Sequence, residues 1–142
     1  MTKCVNNDIL IPEIAALLRE GKDVRFTPTG VSMRPFIEGG SDIVVLRKFA
    51  DVRVGDIALA EINHKAFVLH RVIAVQGDSV TLMGDGNIGN TESCTKADIL
   101  GTVIRIENSR GRRKPLTRGR LWFYLRRFRR ILLKIYRHRP WK

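Results

Sequence analysis

Apolar positions along this chain change period twice. From Asp8 onward Ile9, Leu10, Ile14, Leu17 and Leu18 recur at three- and four-residue spacing, which predicts a short amphipathic helix capped at Asn7 or Asp8 and stopped at Gly21. Pro12, Glu13, Arg19 and Glu20 make it a helix that covers a core rather than one that spans a membrane. From Val24 the pattern shortens to runs rich in Val, Ile and Leu, predicting strands over 24–27, 43–47, 56–62, 66–76, 79–83 and 99–107. Gly39-Gly40, Gly55-Asp56, Asn63-His64, Gly77-Asp78 and Gly86-Asn87 punctuate them. Short strands at this spacing with few helices imply a mainly β fold, a strongly bent antiparallel sheet or small barrel. After residue 120 the helical period returns. Leu121, Tyr124, Leu125, Phe128, Ile131, Leu132, Ile135 and Tyr136 fall on one face, and Arg126, Arg127, Arg130, Lys134 and Arg137 on the other.

Composition divides the chain where the periodicity does. The polar stretch 108–119, broken by Pro115, reads as a linker between a domain over 1–107 and a basic amphipathic tail over 120–142. Residues 1–109 carry 12 Lys+Arg and all 14 Asp+Glu, whereas residues 110–142 carry 14 Lys+Arg and no acid. The net charge of +12 therefore belongs to the tail, and the domain itself is electrostatically ordinary. With 142 residues and 44% hydrophobic content there is material for one core. Residues 1–20 lack the features of a secretion signal, and no apolar run reaches the roughly 18 residues of a spanning helix. Cys4 and Cys94 form no C-x-x-C and have no His or Asp at metal spacing, so reduced thiols, no metal site and no cofactor are expected.

The candidate chemistry centres on Thr29-Gly30-Val31-Ser32-Met33-Arg34-Pro35, between two predicted strands. Gly30 permits a tight turn and close approach of another backbone, and Pro35 prevents a helix from running through the serine. A loop serine is ordinarily a solvated turn hydroxyl, and it becomes a nucleophile only when a base can take its proton. Two strand runs further on comes Phe67-Val68-Leu69-His70-Arg71-Val72-Ile73, where by itself the histidine reads as a satisfied strand residue. Met83-Gly84-Asp85-Gly86-Asn87 follows it.

Taken in order, the S-M-x-P, the H-R-V-I-x-V-x-G-D and the G-D-G-N resemble the signal peptidase I and LexA-like serine peptidases, over Val24 to about Ile106. The resemblance implies Ser32 as nucleophile, with its own backbone N–H as one oxyanion donor, and Gly30, Val31 and Met33 around the oxyanion and substrate. It implies His70 as base, as in the archaeal and endoplasmic-reticulum branch, where most bacterial members and the repressors have lysine. It implies Asp85 as the carboxylate that steadies the imidazole; a turn aspartate bonded to its own backbone is the alternative. Many bacterial members carry Ser or Thr two residues before the nucleophile, where this chain has Gly30. Gly55-Asp56-Ile57 matches a structural turn of the same family.

The expected activity is that of a serine endopeptidase cleaving an extended peptide after a small residue. Two other readings compete. A LexA-like self-cleaving regulator calls for a DNA-binding domain and an Ala-Gly or Cys-Gly pair ahead of the serine, neither of which the sequence holds. A non-catalytic peptide-binding protein tethered by its tail would need neither Ser32 nor His70. For residues 120–142 the gathering of apolar residues on one stripe, with Trp122 and Trp141 near the ends, favours an anionic membrane surface over nucleic acid. Packing of that stripe on the protein's own sheet is the third possibility. The expected location is peripheral on the cytoplasmic membrane, on either side of it, or in the cytoplasm.

Overall fold

The computed structural model describes the backbone of residues 2–5, all of residues 11–30, 32–87 and 89–116, and, in the tail, residues 131, 134 and 135. The predicted cap at Asn7 or Asp8 and most of the predicted tail helix lie outside those residues. The elements run β1 (Thr2–Val5), α1 (Ile11–Arg19), β2 (Asp23–Phe26), β3 (Ile43–Arg47), β4 (Ile57–Ile62), β5 (Ala66–Gln76), β6 (Ser79–Met83), β7 (Glu92–Thr95), a 3₁₀ turn (Lys96–Asp98), β8 (Ile99–Glu107) and β9 (Arg113–Lys114). The fold is mainly β, as the pattern predicts. The nine strands form one sheet in the order β1-β2-β3-β8-β4-β5-β6-β7, with β9 also on β8. Every pairing is antiparallel except the parallel β1–β2 pair.

The sheet bends because its ladders slip at three places, Val45/Leu46, Leu59/Ala60 and Val72/Ala74, and each irregularity adds local twist. Bending leaves two apolar cores, and β4 divides them by simple alternation. Ile57 and Leu59 face a core with Val24, Phe26, Leu46 and Ile106, whereas Ala58 and Ala60 face another with Val72, Val80 and Leu82. Helix α1 closes the first core through Ile14 and Leu18, each 1% exposed, and burial of side chains this size is worth about 1.5–3 kcal/mol each. It stops where predicted: Gly21 adopts φ +82°, and the N–H groups of Gly21 and Lys22 donate to the carbonyls of Leu18 and Leu17.

The stretch expected as a linker, 108–119, is in part folded. Residues 108–111 turn back, the Asn108 side chain accepts from the N–H groups of Arg110 and Arg112, and β9 pairs with Ile106 and Glu107. A backbone that finds open hydrogen-bonding positions on β8 takes them whatever its side chains, and composition did not reveal this.

Candidate active site

The serine loop is built by glycine, a buried methionine and a buried isoleucine. Leaving β2, the chain turns at Gly30 with φ +87°. A side chain on Gly39 would place its Cβ 1.9 Å from the Gly30 carbonyl oxygen, so residues 39–40 lie directly against the backbone of Gly30. The Gly40 N–H donates to the Pro28 carbonyl at 2.8 Å and fixes that approach. Beyond the serine, the N–H groups of Phe36 and Ile37 both donate to the Met33 carbonyl at 3.0 Å. The Arg34–Pro35 peptide within that turn is cis. Met33 and Ile37 are 5% and 2% exposed and root the turn in the core. From behind, the Gly86 N–H donates to the Ser32 carbonyl at 2.7 Å, and a Cβ on Gly84 would lie 2.5 Å from that oxygen. Val31, expected near the oxyanion, lies outside the described residues. Gly30, Ser32 and Met33 line the groove described below, together with Thr29.

Strand β5 delivers His70, which is 6% exposed, to this loop. Its Nε2 lies 3.1 Å from Ser32 Oγ and its Nδ1 lies 2.9 Å from Glu92 Oε2. An ionised carboxylate only accepts, so the proton of a neutral His70 sits on Nδ1, donates to Glu92 and leaves Nε2 free to accept from the serine hydroxyl. Ladder register explains why Glu92 reaches this position. Val72 pairs with Leu82 and Leu82 with Glu92, and cross-strand partners share a face. His70, two residues from Val72, points to that same face.

Asp85 has a different partner from the one expected. Its two carboxylate oxygens accept from Nε and an Nη of Arg71 at 2.8 and 2.7 Å, and the pair is 0% and 3% exposed. Arg71 neighbours His70 on β5 and so points to the opposite face. There it also donates to the Gly55 carbonyl at 2.7 Å and lies 5.5 Å from the centre of the Phe36 ring. The planar guanidinium matches both carboxylate oxygens at once, which a single imidazole N–H cannot do. Asp85 thus secures the loop behind Ser32, and Glu92 occupies the place beside the imidazole that was expected for Asp85. Lys65 is exposed in the β4–β5 turn, where Asn63 and His64 adopt φ +54° and +57°, and His64 is 86% exposed.

Ser32 and His70 open onto a groove of about 170 Å³ that is also lined by residues 28–30 and 67–69. One edge of β5 pairs with β4 from Ala66 to Arg71, but β6 covers the other edge only from Arg71 onward. Among the described residues, no strand pairs with the outer edge of 67–70. That edge borders the groove and offers main-chain groups to an extended peptide. No cluster of His, Cys, Asp or Glu among the described residues is suited to a metal ion.

A bent, mainly β sheet of this kind fits the LexA and signal peptidase I-like serine peptidases. The family model for S24-like peptidases matches residues 5–104, and the chain belongs to that family. Comparison with curated proteins gave no match.

Proposed function

We propose that the protein is a serine endopeptidase in which Ser32, His70 and Glu92 act together, cutting an extended peptide after a small residue. The observation that carries this reading is the unbroken series from Ser32 Oγ through His70 to Glu92, with Ser32 and His70 lining the groove. Ser32 Oγ attacks the peptide carbonyl as its proton passes to His70 Nε2, and the oxyanion is held by backbone N–H groups of the serine loop. Collapse breaks the C–N bond, and His70 returns the proton to the leaving amine. Water then repeats the sequence on the acyl-enzyme, releasing the acid and restoring the hydroxyl. Glu92 keeps the proton on Nδ1 and stabilises the imidazolium formed at each attack. A groove of about 170 Å³ suits small side chains near the cut.

The direct test is labelling by a fluorophosphonate together with cleavage of a peptide carrying small residues before the scissile bond. Wild-type protein should label and cleave. Ser32→Ala should do neither while its stability changes by under about 0.5 kcal/mol, and residual turnover well above the uncatalysed rate in that variant would defeat the assignment.

The tail is proposed to hold this enzyme at an anionic membrane surface, from the cytoplasm or peripherally on the cytoplasmic membrane. Supporting this are the 14 Lys+Arg without an acid in residues 110–142 and the exposure of Ile131 and Ile135, 60% and 57%, one helical turn apart on the apolar face.

A further inference from the structure

A buried carboxylate lies in the loop that supplies Gly39 to the groove. Asp42 is 4% exposed, and its Oδ2 accepts from the Glu38 N–H at 2.8 Å and from Lys114 Nζ at 2.6 Å. The Asp42 N–H donates back to the Glu38 carbonyl at 2.9 Å, and the Ser41 N–H and hydroxyl donate to the same carbonyl at 3.3 and 3.4 Å, so the loop 38–42 is closed on itself with the Asp42 carboxylate holding the Glu38 N–H. That loop carries Gly39, whose backbone lies against Gly30, and Gly40, which is bonded to Pro28. Gly39, Gly30 and Pro28 all line the groove. The cation that neutralises Asp42 comes from β9, the strand formed by the stretch expected to be a linker. A carboxylate this buried is costly unless a cation and hydrogen bonds compensate it, and Lys114 supplies the cation beside the backbone bonds that close the loop.

We infer that Lys114 is a positioning residue for substrate binding: its ammonium, through Asp42, holds the Gly39-Gly40 wall against Gly30 so that the groove fits an extended peptide. The inference rests on the peptidase reading above. Lys114 touches neither Ser32 nor His70 in the contacts described. Its loss should therefore act on the wall that receives substrate and spare the attack itself.

The experiment uses the full chain and two readouts, fluorophosphonate labelling of Ser32 and steady-state cleavage of a small-residue peptide. In Lys114→Met the labelling rate should fall by less than about threefold while KM rises about tenfold or more. Lys114→Arg should keep KM close to wild type, since a guanidinium can still meet Asp42. Should Lys114→Met fold poorly because Asp42 is left as a buried unpaired charge, Lys114→Met combined with Asp42→Asn removes that charge and keeps an acceptor for the Glu38 N–H. The double variant should fold and bring KM back toward wild type. An unchanged KM in Lys114→Met, or a KM still raised in a folded double variant, overturns the inference. So does an equal loss of labelling and cleavage that tracks loss of the fold, which marks a merely structural ion pair. Wild-type protein that fails to label defeats the peptidase reading instead.

Discussion

Two carboxylates separate at the scale of single residues. Asp85 sits in the motif that carries the family resemblance, and sequence reasoning gave it the imidazole. The structure gives it Arg71 and puts Glu92 beside His70. Nothing in the G-D-G-N distinguishes these outcomes, because the deciding facts are that Arg71 follows His70 and that neighbours on a strand point to opposite faces. The two acids therefore predict opposite phenotypes. Glu92→Gln should leave the thermal unfolding midpoint near wild type but lower kcat by about 10²–10⁴-fold, since an amide no longer selects the Nδ1–H tautomer. Asp85→Ala should instead strand the buried Arg71 charge and cost about 3–5 kcal/mol in denaturant unfolding. A stable but inactive Asp85→Ala beside a fully active Glu92→Gln would restore the assignment made from the motif.

Among elements, legibility tracks how much of a strand's stability comes from its own side chains. β3, β5, β6 and β8 begin and end where the Val, Ile and Leu runs predict, because each buries apolar residues on at least one face. β1, β7 and β9, with four, four and two residues, were not anticipated, and their strand character comes from pairing with a preformed neighbour. In β7, Glu92-Ser93-Cys94-Thr95 offers no apolar alternation to read, yet it delivers the carboxylate of the site. Cys94, two residues from Glu92 and on the same face, reports on how well this edge strand is seated. Its thiol is pushed up to about 11, chiefly by burial and further by the nearby Asp98 charge. With Cys4→Ser to remove the other thiol, alkylation of native protein should be slow at pH 8 and accelerate toward pH 11. The protonated thiol is the form that folding favours, so its stabilising contribution is complete below the unfolded value of about 8.5 and is lost as pH rises toward 11. Unfolding measured across that window should show a steeper fall in stability for the single variant than for the same protein also carrying Cys94→Ala. Equal slopes would mean that β7 does not shield the thiol.

For the whole molecule, charge is partitioned between a domain near neutrality and a C-terminal segment that holds the entire surplus, and that division was legible from the sequence alone. Its boundary was not, because β9 and Lys114 belong to the domain although their composition belongs to the tail. Cutting the chain at residue 108 would therefore remove the cation of Asp42 together with the tail, and would change two features at once. Neutralising the tail in the intact chain avoids this. Arg126, Arg127 and Arg130 all changed to Gln should weaken binding to phosphatidylglycerol vesicles by about 3 kcal/mol, roughly 100-fold, at about 1 kcal/mol per cation. Wild-type binding should itself fall as salt rises from 50 to 500 mM, since the attraction is screened. Cleavage of a soluble peptide should stay within about twofold of wild type, because these residues are remote in sequence from β9 and from the groove. Equal binding of wild type and variant to vesicles would show that the apolar stripe alone drives adsorption, and a variant deficient only in binding DNA or RNA would move the tail's partner from lipid to nucleic acid.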